Sequence, residues 1–277
     1  MLALLENPRS GSGDCGEVER LLRERGAEVR AFGFDQVASA VDARPERLVV
    51  AGGDGSIGPV ARAAAATGLA LAVVPVGTAN DFARALGLPD DLAAACQIAA
   101  GGTRTRALEL ALMDDRPFVN VASIGLSPEA ARRAHDWKSR LGPLAYALGA
   151  LRAGLSAHPV RCRLLCDGEF AFEGKAWQVT VAATGAFGAG SRVEADPHDG
   201  LLDAVAVEAG SRLRLARRAH GMRRGTLESQ RGVHSFRGGN IDLVLEASTG
   251  FNVDGEVIEA GSTSFRIDPR RFRVVTG

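Results

Sequence analysis

Residues 49–60 read VVAGGDGSIGPV: an apolar strand runs into three glycines with one carboxylate, Asp54, among them, and a segment with Pro59 suited to a first helical turn follows. Few folds accept that order. The first third of the chain repeats it, alternating LALLE, a helix from about Asp14, AEVRAF, a short helix, RLVVA, the helix at Pro59 and LAVVP. Alternation of this kind predicts a parallel sheet with crossover helices. Local signals agree. Asp14 with Glu17 makes a capping box ahead of Val18, Leu21 and Leu22, and Gly26 follows as a stop. Asp90 or Asp91 opens the helix DLAAACQIAA, which ends at Gly101-Gly102.

After TRTRALELALM the pattern changes. One helical stretch, LGPLAYALGALRAGL, is followed beyond residue 158 by strands: RCRLLC, AWQVTVAAT, LLDAVAVE, IDLVLE, FNVDGE and TSFRID. Strand runs after a βα unit predict a second, largely antiparallel domain, with the boundary near Asp114-Asp115-Arg116-Pro117. A length of 277 residues suits two such domains.

Charge narrows the function classes. Lys plus Arg and Asp plus Glu number 33 each, so no global field recruits nucleic acid or an acidic membrane, and any such attraction is local. Aromatic residues are too scarce, at 5%, for base-stacking platforms. The start, MLALLENPRSG, has neither a charged leader nor a long apolar stretch, and runs such as LALAVVPV are too short to span a bilayer, so a cytoplasmic protein is expected. Cys15, Cys96, Cys162 and Cys166 read as free core thiols, and none of the five histidines lies at ligand spacing from them, which leaves zinc chemistry without support.

Two segments fit the three-glycine dinucleotide fingerprint: Gly11, Gly13 and Gly16, and again Gly53, Gly55 and Gly58. Both fit poorly. NPRS separates the first from its strand, and no acid follows the second at about twenty residues. The Walker pattern is absent. GGDGS itself says more, because a helix N-terminus behind it offers amides and partial positive charge to a phosphate. Asp54 would oppose a bare phosphate but not one carrying a divalent cation, whereas its plain reading is a cap on the following helix or a turn closure. NPRSG and VPVGTANDFAR make three polar loops at C-terminal strand ends, where open α/β sheets bind ligands. In the last of these Thr78 can offer a hydroxyl to a phosphate, while Asn80 or Asp81 caps the helix FARAL.

Asn7-Pro8 with Gly11, GGDGS, PVGTANDFAR, KSRLGPLAYALGAL, ATGAFGAGSRVEADPHDGLLDAVAV and VDGE at 253–256 stand in the order found in the diacylglycerol kinase catalytic family. The chain resembles that family's bacterial lipid kinases, relatives of sphingosine kinases, over nearly its whole length. The resemblance implies an α/β ATP-binding domain over 1–115, built on a three-layer parallel sheet and rejoined by a tail of about 265–277. It also implies a mostly antiparallel β-sandwich over 116–264 that takes the lipid, with ATP in the cleft between the two. Carried over residue by residue, it assigns nucleotide contacts to Asn7, Gly52, Gly53, Asp54, Gly55, Ser56, Gly77 and Thr78. Asp254 becomes the proton acceptor, with Glu256 beside the metal network and Asp54 counted with them as catalytic, and Asp203 with the backbone around His198 and Leu201 becomes a candidate structural magnesium site. The expected cofactors are ATP and Mg2+. CDGE at 166–169 is set aside because it falls where a hairpin turn belongs.

Two departures stand out. RSGSGD leaves Arg9 as the cation nearest the Asn-Pro loop, and Ser127-Pro128 occupies a place where the family carries an acid, with Glu129 slightly displaced. They keep open an alternative, a nucleotide-binding regulator without catalysis; a small-molecule kinase of the NAD kinase type is a further one. Membrane approach is expected from Trp137, Lys138 and Arg140 beside an apolar helix, and from Arg214, Arg217, Arg218 and Arg224 opposite Leu215, Ala219 and Met222. The plain reading of both stretches is a packed helix with a solvated basic face. The expected partners are a membrane lipid and, transiently, the membrane surface, and an edge strand of the second domain could pair two chains.

Overall fold

A computed structural model describes residues 1–7, 15–126, 128, 158–187, 191–193, 195–211 and 230–277. The chain divides into two units, Met1–Leu110 with Asp268–Gly277, and Ala111–Ile267.

Unbroken apolar strands need cover on both faces, and the first unit supplies it. Its elements are β1 (Leu2–Glu6), α1 (Cys15–Glu24), β2 (Val29–Gly33), α2 (Val37–Asp42), β3 (Arg47–Gly52), α3 (Ile57–Thr67), β4 (Ala70–Pro75), α4 (Asp81–Ala85) and α5 (Leu92–Gly101). The strands lie in the order β2-β1-β3-β4, all parallel, with Leu2 opposite Val29 and Arg47, and Arg47 opposite Ala70. The chain's last strand joins β4 in parallel through Arg273 and Val274. Leu2–Leu5, Leu48–Ala51 and Leu71–Val74 are buried throughout, as strands covered on two sides must be. On one face Val18, Leu21 and Leu22 of α1 and Ala95, Cys96 and Ala99 of α5 pack against Leu2, Leu4, Val49, Ala51, Ala72 and Val74. Helix α2 lies against β1, and α3 against β3 and β4. Gly68, at φ +74°, ends α3, and Asp91 rather than Asp90 opens α5, accepting from the Ala94 amide at 2.8 Å. Asp14, the expected cap of α1, lies outside the described residues.

The chain leaves the first unit within β5 (Thr105–Met113). There follow β6 (Arg116–Phe118), β7 (Val121–Gly125), β8 (Val160–Cys166), β9 (Glu169–Ala182), β10 (Ala186–Phe187), β11 (Ser191–Arg192), β12 (Leu202–Glu208), β13 (Val233–Gly238), β14 (Asn240–Leu245), β15 (Thr249–Val253), β16 (Glu256–Ala260) and β17 (Thr263–Val275). The order in the second unit is β16-β15-β7-β9-β8-β14-β17, with β12 and then β13 alongside β9, every pair antiparallel. Strand β9 is the hinge of this arrangement. Its first half pairs with β8 and its second half with β7 and β12, so one strand serves both layers of a sandwich. Phe118, Leu164, Phe172, Val179, Val181, Ala204, Ala206, Ile241, Leu243, Phe251 and Phe265 fill the space between the layers.

Cys96 and Cys162 are buried free thiols, Cys166 is half-buried and free, and burial pushes the Cys162 thiol up to about 11. Among the described residues no helix is long and apolar enough to cross a membrane.

Candidate active site

Parallel pairing of β1, β3 and β4 in near-equal register brings their C-terminal ends side by side, with Glu6 opposite Ala51 and Gly52 opposite Pro75. The three loops that follow are tied to one another. The Asn7 side-chain amide donates to the Ser56 hydroxyl at 2.9 Å, and the Asn7 backbone amide donates to the Ala51 carbonyl. Val76 donates to the Gly52 carbonyl at 3.2 Å. Gly53 and Gly77 meet backbone to backbone: a Cβ on Gly77 would stand 2.5 Å from the Gly53 Cα. Only glycine at position 77 permits that approach, which explains Gly77 better than any need for unusual φ, whereas a Cβ on Gly53 would stand 3.3 Å from the Gly77 Cα. Within the turn the Ser56 amide donates to the Gly53 carbonyl, and the Ser56 side chain, 1% exposed, makes no cap bond to α3.

Asp54 departs from the plain reading of the sequence, a cap on the helix that follows it. Its two oxygens accept the amides of Asp81 at 3.1 Å and Phe82 at 2.8 Å, so it caps α4, not the helix that follows it. Neither Asn80 nor Asp81 caps α4, contrary to expectation. Asn80 takes a left-handed conformation at φ +50° and donates its side-chain amide to the Gly77 carbonyl, and Asp81 accepts from Arg84. The reason is geometric: a left-handed residue at the cap position turns its side chain back into its own loop, so the orphan amides of α4 take their acceptor from across the loop cluster. Gly52 closes β3, Gly55 lies within the turn, and Thr78 is exposed on the third loop.

In the second unit Asp254 and Gly255 form the two-residue turn between β15 and β16, at φ +47° and +89°, the backbone an Asp-Gly hairpin prefers. Asp167 and Gly168, at φ +50° and +82°, make the same turn between β8 and β9. Hairpin geometry therefore does not separate the two DGE segments; the surroundings do. Asp167 accepts the Asn240 amide at an exposed site. Asp254, 7% exposed, accepts three amides, from Val119 at 2.7 Å, Asn120 at 2.9 Å and Val121 at 3.1 Å, and its own amide donates to the Val121 carbonyl. Glu256 is exposed and pairs with Arg116 at 2.5 Å.

The residues named for a structural magnesium stand differently. His198 donates its amide to Asp196, Leu201 donates its amide to Asp199, and Asp203 lies on β12 directly across from Arg237 of β13. The Arg237 guanidinium pairs through Nη2 with Asp199, and its Nε lies 3.5 Å from Asp203 Oδ1. Among the described residues no three His, Cys, Asp or Glu side chains group to hold a metal. With a guanidinium between them, the Asp199 and Asp203 carboxylates do not as a pair fit a divalent cation. Arg237 was not singled out in the sequence, since its proximity depends on the β12–β13 register.

Arg9, Gly11 and Gly13, Ser127 and Glu129, Trp137, Lys138 and Arg140, and Arg214, Leu215, Arg217, Arg218, Ala219, Met222 and Arg224 lie outside the described residues.

Comparison with known proteins places this geometry in context. Residues 1–111 match the family model of the diacylglycerol kinase catalytic domain, and residues 120–276 match that of the YegS C-terminal NAD kinase beta sandwich-like domain. A Pseudomonas aeruginosa protein named "Probable lipid kinase YegS-like" is 32% identical over 99% of this chain and 93% of its own. A diacylglycerol kinase from Mycobacterium tuberculosis is 30% identical over 77% of this chain and 75% of its own. In fold, the chain is similar to the crystal structure of a diacylglycerol kinase from Bacillus anthracis (TM-score 0.77, 20% identity, 100% and 96% of the two chains covered). An NAD kinase from Archaeoglobus fulgidus, solved in complex with ATP, is more distant (TM-score 0.56, 12% identity, 99% and 93% covered).

Proposed function

We propose, for a chain that belongs to the diacylglycerol kinase catalytic family and carries the YegS-type C-terminal sandwich, that it transfers the terminal phosphoryl group of magnesium ATP to a hydroxyl of a membrane lipid. The observation that carries this reading is the welding of three loops at the C-terminal ends of β1, β3 and β4 by Asn7–Ser56, Gly53–Gly77 and Asp54–α4. A phosphoryl transfer asks little covalent chemistry of a protein and much positioning, and loops fixed to one another by backbone contact provide it.

In this reading the backbone of Gly52–Ser56, backed by the N-terminus of α3, receives the phosphates, and the glycine crossing at Gly53 and Gly77 keeps side chains out of their way. Thr78, exposed on its loop, donates its hydroxyl to the nucleotide. Asn7 sets the Ser56 hydroxyl, and Asp54, which holds α4, would hold the magnesium of the nucleotide. When bound, that ion offsets charge on the phosphates and on the group being transferred. Asp254, held in place by three backbone amides, accepts the proton of the lipid hydroxyl. Glu256, paired with Arg116, supports the same turn. The lipid is diacylglycerol-like or sphingoid, reached from the cytoplasmic face by transient contact with the membrane.

Transfer of labelled terminal phosphate from ATP to a panel of hydroxyl lipids in mixed micelles, with magnesium and with chelator, tests the reading. A labelled lipid that needs magnesium supports it and names the acceptor. Magnesium-dependent ATP binding with no labelled lipid would turn the reading toward a regulator, and labelled NAD toward a small-molecule kinase.

A further inference from the structure

We infer that Arg237 is a built-in counter-ion that takes the place of a divalent cation between Asp199 and Asp203, so that this part of the second unit is held without a resident metal. The inference stands apart from the kinase reading, because it concerns the chain without nucleotide or lipid.

Three features bring the charges together, and each follows from the fold. Ala204 and Ala206 of β12 point into the sandwich core, which sends Asp203 to the opposite face. The antiparallel register sets Asp203 against Arg237 as a direct cross-strand pair, close enough for opposite charges to interact. Ahead of β12 the loop folds back through two side-chain turns, Asp196 accepting the His198 amide at 3.1 Å and Asp199 accepting the Leu201 amide at 2.9 Å, with Gly200 at φ +80° inside the second. That fold delivers Asp199 to the same guanidinium. Arg237 then forks, Nη2 to Asp199 and Nε towards Asp203 at 3.5 Å.

A planar fork meets two carboxylates at once, which a lysine ammonium on a flexible stem does less well. The two carboxylates are mostly buried, with side chains 24% and 18% exposed, while Arg237 is half-exposed at 49%. Removal of the guanidinium would leave two neighbouring anions with a path to solvent. Oxygen ligands of that kind suit magnesium or calcium. The arginine and the ion are therefore mutually exclusive occupants, and a metal site emerges only when the arginine is lost.

Thermal unfolding of the full chain, without nucleotide, in chelator and in millimolar magnesium tests this. The unsubstituted protein is expected to unfold at the same temperature in both. Arg237→Met should unfold about 2–4 °C lower in chelator, the shift expected for one partly exposed ion-pair cluster in a chain of this size, and regain most of it in magnesium but not in potassium of equal ionic strength. Adding Asp199→Asn to Arg237→Met should abolish the magnesium response. Saturable stabilisation of the unsubstituted protein by magnesium would overturn the inference, as would an Arg237→Met variant no less stable than its parent, or one whose loss magnesium does not reverse. Should Arg237→Met fail to fold, manganese titration of the unsubstituted chain followed by electron paramagnetic resonance decides: one tight site refutes the inference, and none supports it.

Discussion

Replacing Asp254 by asparagine is the substitution that a proton-acceptor role invites, and the structure says what else it does. Asparagine tolerates the left-handed backbone at φ +47° and matches aspartate in shape, so the turn itself is not strained. What changes is one oxygen and the charge. The carboxylate accepts amides on both oxygens, at 2.7 Å from Val119 on one and at 2.9 and 3.1 Å from Asn120 and Val121 on the other. In either orientation an asparagine NH2 faces at least one of these N–H groups, donor against donor, at a site 7% exposed. An unsatisfied buried donor costs about 1–3 kcal/mol, and loss of the anion weakens the remaining bonds further, for a total of about 2–4 kcal/mol. That corresponds to a fall in Tm of roughly 4–16 °C. Turnover should fall roughly a hundred- to ten-thousandfold if Asp254 takes the proton. Calorimetry, and lipid phosphorylation at a temperature where both proteins are folded, read the two effects separately. A variant that melts within about 1 °C of its parent would refute the three-amide account of stability. A variant that melts low yet turns over normally when folded would refute the catalytic role and leave Asp254 as a brace for residues 119–121.

Gly77→Ala should weaken ATP binding more than tenfold and cost about 1–3 kcal/mol in a denaturant titration, because its Cβ would press on the Gly53 backbone; Gly101→Ala, which meets nothing within 4 Å, serves as the neutral control, and equal behaviour of the two would dismiss the crossing. Burial of Asp268, 3% exposed, works against its charge, but bonds from the Arg270 side chain and amide, with the charge of Arg62, outweigh it and hold the carboxyl below its ordinary value. A depressed folded value means stability that is present above the unfolded carboxylate pKa of about 3.9 and lost as pH falls through the folded value. Arg270→Met should thus move the acid-unfolding midpoint to higher pH, and an unmoved midpoint would count against the pairing. The Cys162 thiol, pushed up to about 11 by burial, should react with a disulfide reagent at neutral pH only as fast as the sandwich opens, and labelling ahead of Cys166 in the native protein would contradict its burial.

The layered architecture could be read from the sequence wherever one periodicity ran for a whole element. LALLE, RLVVA and LAVVP are apolar without alternation because β1, β3 and β4 are covered on both faces, and the glycine turns after them mark the ends at which the loops gather. The cap of α5 was equally legible, since Asp91 acts on a residue three places away. What the sequence could not disclose was set by distance along the chain. Asp54 and α4 are 27 residues apart, Asp254 and Val119 135 residues apart, and the approach of Arg237 to Asp199 and Asp203 exists only because of one strand register. The two DGE turns make the same point. Their local sequence and backbone agree, and only the burial around Asp254 tells them apart.

An acid inside a loop proposed to receive phosphate poses a conflict, and Asp54 shows how a fold removes it. The carboxylate faces the two leading amides of α4, donors that carry partial positive charge, so its field is already answered before any phosphate arrives. Asp254 repeats the device in the second unit, taking three amides of a loop far away in sequence. In each case an aspartate that the sequence marks as chemical is also the fastener of a second loop. Such a double role follows from physics, because a reactive carboxylate must be held still and backbone amides hold it at short, charge-assisted distance without adding another side chain to the site. It follows that loss of activity on substituting either residue does not by itself establish chemistry. The deciding comparison is between activity per folded molecule and the geometry of the fastened loop: amide exchange at Phe82 for Asp54, and at Val119 to Val121 for Asp254. A variant that keeps those amides protected and still loses turnover identifies a chemical role; one that frees them identifies a fastener.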